Sequence, residues 1–450
     1  MSNRKKVLVI GLDCATPQFV FDSWRDELPN LKRLMDSGGY GPLKSTIPPI
    51  TVPAWTCMMC SRDPGQLGIY GFRNRQNHTY DALYFANSSV VKEPLLWDRL
   101  GQAGLKSIAI GVPQTYPPKP INGLLVCSFL TPDKSCNYTY PAHIKYEIDR
   151  ICGGYMIDVE NFRTDDKKRL LEQIYEMTAK RFQVVRHYLA PLDWDFFMFV
   201  EMGVDRIHHG FWRFSNPEHR LYEPGNPYET AIKDYYIYLD KEIGQLLELL
   251  DEQTLVLVVS DHGAKSMQGG IAINEWLRQQ GYLKLKQTPH AMTQLKPEMI
   301  DWKHTMAWGE GGYYSRIFMN VKGREPEGVI EQADYERIRG ELVQALEGIC
   351  DEKGRNIGTR AFLPEAIYHE CLNIPPDLVV YLGNLDWRSI GSIGLDTIHV
   401  FENDTGPDDA NHAEQGILIM AHMSNVHPGT PKGNKIEGAT LYDITPTILT

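Results

Sequence analysis

The feature that most constrains the fold is a set of short, almost wholly apolar runs separated by longer amphipathic stretches. The runs cover residues 7–12, 107–111, 196–200, 255–260, 378–381 and 416–420, and each is rich in Val, Ile, Leu or Phe. Apolar residues at consecutive positions suit strands buried on both faces, the condition of a mostly parallel sheet. Between them, residues 95–103, 167–188, 227–250 and 332–348 read as helices, with Gly101, Gly104 and Gly281 where helices end or the chain turns. Alternating strands and helices predict an α/β fold of three layers, with helices covering both faces of a mostly parallel central sheet. At 450 residues and 42% apolar content, the chain is long enough for one large catalytic domain, 1–450, with insertions. Residues 73–94, polar and aromatic without a clear period, read as a surface insertion. Residues 283–376, where a strand-like 314–321 precedes a helix, read as an inserted accessory subdomain. Thr445-Pro446 opens a helix that the end of the sequence cuts short.

The charge balance, 46 basic against 57 acidic side chains for a net −11, repels polyphosphate chains and argues against a nucleic-acid polymer as partner. A small anion is still admitted if cations stand in its site. The basic start followed by an apolar run resembles a secretion signal, but Asp13 stops that run after residues 7–12. A signal core needs about 7–15 apolar residues and a membrane helix roughly 18. The run is therefore expected to be a first buried strand, and the protein to be soluble, cytoplasmic and without a membrane partner. The eight cysteines lack the density of a disulfide scaffold. Cys57-Met-Met-Cys60 has metal-knuckle spacing, but with no second such pair it reads as helix-packing thiols.

The chemistry-bearing residues stand at the ends of the predicted strands, where ligands collect in open α/β sheets. Asp13 follows the first strand and Asp261-His262-Gly263 follows the run at 255–260. Asp205 and His209 come a short turn after 196–200, and His412 just precedes 416–420. Alone, each has an ordinary reading as a cap, a turn residue or a surface pair. Together, three carboxylates and three imidazoles suit a divalent metal. Thr51 lies in Ile-Thr-Val-Pro after Pro48-Pro49. It reads as a helix N-cap, and a hydroxyl at a helix N-terminus also sits where an anion can bind.

Asp13 after a strand, Thr51 in Ile-Thr-Val-Pro, Asp205-Arg-Ile-His-His209, Ser260-Asp-His-Gly263 and His412, in that order, resemble the alkaline phosphatase superfamily. Within it they most resemble the type I phosphodiesterase/nucleotide pyrophosphatase family, especially its predicted phosphohydrolase/phosphomutase members. Stretches at 97–100, 112–117, 211–213, 274–277 and 323–328 extend the resemblance from about residue 7 to the end.

The resemblance implies an alkaline phosphatase-like fold and two divalent ions, Zn2+ first and Mn2+ second. Asp205, His209 and His412 would hold one; Asp13, Asp261, His262 and the Thr51 oxygen would hold the other. Two divalent cations balance three aspartates and a Thr51 alkoxide, so a small phosphate ester need not enter a net negative site. The implied reaction is hydrolysis of a phosphoric ester, with Thr51 as nucleophile and a phosphothreonine intermediate. Arg206 and His208 lie beside the ligands, where they can touch substrate or support the ligand shell. One departure stands out. Nucleotide-diester members carry Asn three residues after the nucleophile, and this chain has Ala54.

Other readings are weaker. Cys14-Ala-Thr-Pro-Gln departs at its last position from a sulfatase activation motif, and no Walker motif is present. A phosphomutase on the same fold is the first alternative, though such enzymes usually pair a Ser nucleophile with manganese. A non-catalytic metal- or phosphate-binding protein is the alternative from another class.

Overall fold

A computed structural model describes residues 5–191, 193–426 and 433–450. The chain forms two compact units, one of residues 5–63, 86–264 and 412–450, the other of residues 64–85 and 265–411.

The first unit is built on a large sheet. Its strands are β1 (Lys6–Leu12), β2 (Gly39–Lys44), β3 (Ser107–Val112), β4 (Gly123–Cys127), β5 (Thr139–Tyr140), β6 (Phe196–Glu201), β7 (Thr254–Val259), β8 (Gln415–His422) and β9 (Asn434–Lys435). Across the sheet they run β9-β2-β8-β7-β1-β6-β3-β4-β5. The centre is parallel: β1 pairs with β6 and β7, and β3 with β6 and β4. β8 runs antiparallel to both β2 and β7. The mixed α/β architecture with a large, mostly parallel sheet is thus the one its apolar runs predict. Leu8, Val9, Ile10, Phe197, Met198, Phe199 and Val258 have no exposed surface, as strands covered on both faces require.

Register brings the functional segments to one edge. Leu12 lies opposite Glu201, and Gly11 opposite both Val200 and Val259. The three parallel strands therefore end in step, and the residues after them emerge side by side. The reversed β8 begins at this same edge, with Gln415 paired to Lys44 at the end of β2. Gly11 makes the packing possible: a Cβ there would lie 2.7 Å from the Trp55 ring and 2.8 Å from Val200.

Helices α1 (Pro29–Ser37), α2 (Thr51–Cys60), α3 (Leu96–Gln102), α4 (Ile144–Cys152), α5 (Lys167–Leu189), α6 (Gly203–Ser215) and α7 (Ala231–Leu247) belong to the same unit. α5 packs on α6, α6 on α7 and α7 on α1. None of the helices among the described residues is long and apolar enough to cross a membrane. The start of α6 is fixed from below. Glu201, fully buried at the end of β6, accepts the Gly203 N–H at 2.8 Å and the Thr178 hydroxyl at 3.2 Å. Arg181, also fully buried, donates to the carbonyls of Val200 and Ile157.

In the second unit, strands Ala307–Glu310, Ser315–Met319, Leu378–Tyr381 and Arg360–Phe362 form an antiparallel sheet in that order. The 378–381 run, expected among the parallel strands, belongs here instead. It is as fully buried as the central strands, so its composition cannot tell which sheet it joins. Trp276, Trp302, Trp308, Phe318 and Leu342 fill the core of this unit, with Tyr80 stacked on Trp302 at 3.6 Å.

One buried carboxylate links helices of the first unit. The N-cap of α1, Leu28, offers no side-chain acceptor. Asp240 of α7 takes its place, accepting the N–H groups of Leu31 at 2.8 Å and Asn30 at 3.1 Å. Asp240→Ala strands both donors and should cost about 1–3 kcal/mol of unfolding free energy in urea titration. An unchanged midpoint would contradict this capping role.

Candidate active site

The register of the sheet edge gathers the predicted residues. Asp205 and His209 stand on α6, four residues apart and so on one helical face. His209 Nε2 lies 3.2 Å from Asp205 Oδ1 and 3.3 Å from His412 Nε2, and His412 Nε2 lies 3.9 Å from Asp205 Oδ1. Beside this trio, His262 Nε2 lies 3.1 Å from Asp261 Oδ2, 3.8 Å from Asp13 Oδ1 and 3.2 Å from the Thr51 hydroxyl. The His262 and His412 rings stack at 3.7 Å, joining the two groups. All seven residues are buried.

Hydrogen bonding sets the direction of the imidazoles. His412 Nδ1 faces the Pro49 carbonyl at 2.9 Å and His262 Nδ1 the Gly263 carbonyl at 3.1 Å. A carbonyl only accepts, so both rings carry their proton on Nδ1 and turn an Nε2 lone pair inward. Burial keeps these rings neutral: His262 is pushed down to about 4, and His412 is held low by burial and by its His262 and His209 neighbours. The carboxylates meet the opposite problem. Burial and then Asp205 raise Asp13 well above the usual carboxylate range, and burial and then Asp13 do the same to Asp261. Burial also opposes ionisation of Asp205, but His209 and Arg206 outweigh it and hold its carboxyl well below that range.

Asp13 Oδ1 and Asp261 Oδ2 are buried and accept no hydrogen bond. Oxygens and imidazole lone pairs thus converge with little to separate them but each other, a donor set that fits divalent cations. Asp205, His262 and His412 form one group able to hold an ion, and Asp13, Asp261 and His262 another, the ligand atoms of each within 4.8 Å of one another.

Thr51 is not the N-cap that its sequence context suggests. Ile50 holds the cap position, and Val52 leaves helical geometry at φ −108° and ψ 113°, so regular winding starts only after it. That break frees the Thr51 hydroxyl from the helix and turns it toward His262. Arg206 is buried, donating from Nε and Nη2 to Asp158 at 2.9 and 2.6 Å and from Nη1 to Asp205 Oδ2. His208 is fully buried, with its Nε2 3.2 Å from the Tyr236 hydroxyl. Cys57 and Cys60 lie buried on α2, Cys60 bonding the Thr56 carbonyl at 3.0 Å, the packing role expected of them.

Several supporting residues escaped the sequence reading. Trp55 donates to Asp13 Oδ2 at 2.8 Å, and its signal was its place one helical turn after Thr51. Ser45 donates to the Asp261 carbonyl at 2.6 Å from the end of β2. Asp158, the anchor of Arg206, carries no local signal at all.

A buried Asp/His cluster with a nearby hydroxyl, at the carboxyl edge of a mostly parallel sheet, suits a metal-dependent hydrolase of phosphoric esters. The model of the type I phosphodiesterase/nucleotide pyrophosphatase family matches residues 7–408, more than half of the chain, and the chain belongs to that family. The match takes in every residue of the cluster except His412. Among solved structures, the chain resembles phosphonoacetate hydrolase from Sinorhizobium meliloti 1021 in complex with phosphonoformate, at 14% identity and a TM-score of 0.62 over 99% of this chain and 95% of that one. It also resembles an inactive murine ectonucleotide pyrophosphatase/phosphodiesterase 5 in complex with AMP, at 13% identity and a TM-score of 0.54 over 99% and 94%. The human protein of that name gives 12% and 0.54 with the same coverage. At these identities the likeness is one of fold. No curated protein matches the chain.

Trp55→Phe keeps the ring and removes the donor to Asp13. Divalent-ion affinity, read by isothermal titration, should fall about tenfold or more with the circular dichroism unchanged. Equal affinity in the two proteins would remove Trp55 from the site.

Proposed function

We propose that the chain hydrolyses small phosphoric esters by in-line displacement through a phosphothreonine at Thr51. In this reading Asp205, His209 and His412 hold one divalent ion, and Asp13, Asp261, His262 and the Thr51 oxygen hold a second. Zinc is the first choice, from the imidazole and carboxylate donors, and manganese the second. The observation that carries the reading is the Thr51 hydroxyl 3.2 Å from His262 Nε2, beside the unsatisfied oxygens of Asp13 and Asp261. When bound, such ions supply Lewis-acid charge that stabilises the oxygens entering and leaving phosphorus.

The chain's own residues do the rest. Thr51 gives up its proton, its Oγ1 bonds to phosphorus, and the ester P–O bond breaks, the leaving oxygen departing with a proton. Water then attacks the same phosphorus, the Oγ1–P bond breaks and the hydroxyl is restored. Trp55 orients Asp13, and Arg206, itself held by Asp158, orients Asp205. The burial of the whole cluster strengthens each of these contacts by excluding water.

The proposal does not extend to nucleotide pyrophosphates. Ala54 puts a methyl group where a side-chain donor to phosphate would stand, and losing one such donor costs about 2.7–4 kcal/mol of transition-state stabilisation elsewhere. The unit of residues 64–85 and 265–411, which contributes none of these residues, is read as accessory.

Aryl phosphate monoester and diester substrates, assayed in parallel on metal-loaded protein, test the reading. Turnover should vanish on chelation and return with zinc. Thr51→Ala should lower it at least about a thousandfold with metal content intact. Acid-quenched wild-type protein should carry phosphate on Thr51 by mass spectrometry. Full turnover in Thr51→Ala would sink the mechanism, and an isomerised sugar phosphate in place of free phosphate would make the chain a mutase.

A further inference from the structure

Cys14 is the residue at the cluster that the mechanism leaves unused. It follows Asp13 directly, at the third position of a tight turn closed by the Ala15 N–H on the Leu12 carbonyl at 3.1 Å. Its φ is +70°, a left-handed conformation for which glycine is the ordinary choice. The chain nevertheless places a thiol there, with no exposed surface.

The backbone and side chain of Cys14 face different parts of the cluster. Its N–H donates to Asp261 Oδ1 at 3.2 Å. Its Sγ lies with an Asp205 carboxylate oxygen and a His209 ring nitrogen, all three within 4.8 Å of one another. The same two residues also converge on His412: His209 Nε2, His412 Nε2 and Asp205 Oδ1 approach one another to between 3.2 and 3.9 Å. The thiol hydrogen-bonds the Asp205 carboxylate and, at 3.5 Å, the Gly263 carbonyl.

We propose that Cys14 supplies a sulfur donor to the cation held by Asp205 and His209, biasing that position toward zinc and away from manganese. The inference rests on the metal-dependent reading of the cluster and adds a sulfur ligand to it. Sulfur is a soft ligand that favours zinc, whereas manganese favours oxygen donors. Ligation replaces the S–H bond with an S–metal bond and releases the proton to solvent; with Thr51 still protonated, three aspartates and the thiolate balance two divalent cations. With Asp205 and His209 the sulfur makes a third donor, so a substrate oxygen still has a place.

The test loads metal-free, full-length protein with Co2+ as a coloured substitute for zinc and records its absorption spectrum. It compares wild type with Cys14→Gly and Cys14→Ser. Glycine suits the backbone at this position and keeps the N–H that holds Asp261, so folding is not at risk. Wild type should show a sulfur-to-cobalt charge-transfer band in the near ultraviolet. Both variants should lose that band while keeping the visible d–d bands of bound cobalt. In competition, the preference for zinc over manganese should fall about tenfold or more in the variants. Visible cobalt bands without a Cys14-dependent charge-transfer band would overturn the sulfur ligand and leave the metal cluster standing. No cobalt spectrum in any of the proteins would overturn the metal reading and this inference with it.

Discussion

Three parallel strands that end in step are the constraint on which the site depends. Leu12 pairs with Glu201 and Gly11 with Val259, so Asp13, the start of α6 and Asp261 leave the sheet at one level. A one-residue slip would turn each strand's side chains to the opposite face, and the buried runs leave no cheap way to make it. Gly11 keeps the register compact by letting Trp55 reach Asp13. The buried Glu201 extends it by fixing the first turn of α6, from which Asp205 and His209 project. Reversal of β8 then brings His412 to the same edge from the other direction.

Gathering three aspartates and three imidazole lone pairs in a dry space is costly on its own. Burial raises Asp13 and Asp261, yet the same burial keeps His262 and His412 neutral. His262 and His412 therefore cannot repay Asp13 and Asp261 as cations. The proposed divalent ions resolve both problems, since they neutralise carboxylates and accept neutral imidazole lone pairs. In this account the acidic surplus of the chain does not oppose a phosphate substrate, because part of it holds the charge that attracts one.

Much of this was legible in the sequence, for a physical reason. Strands buried on both faces must be apolar throughout, so β1, β3, β6 and β7 stand out, and polar residues just after them are conspicuous. β2 was not legible. Its Gly-Tyr-Gly-Pro-Leu-Lys has no apolar run, because a Cβ on Gly41 would run into the Ile436 carbonyl. Its Pro42 is tolerated because β9 pairs only with Gly39 and Tyr40 on that side. The 378–381 strand was legible as a strand but not as a member of the antiparallel sheet, since sheet membership depends on distant partners. Thr51 was legible as a polar residue opening a helix, while the break at Val52 that frees its hydroxyl was not. Asp158 and Ser45 act across long sequence separations and carry no periodic signal.

The buried cluster is proposed as a two-cation site with Thr51 at its edge. Anomalous diffraction at the zinc edge from crystals grown with zinc tests it most directly. Two peaks are expected, one among Asp205, His209 and His412 and one among Asp13, Asp261, His262 and Thr51, about 3.5–4 Å apart. A single peak, or zinc bound only away from these residues, would contradict it.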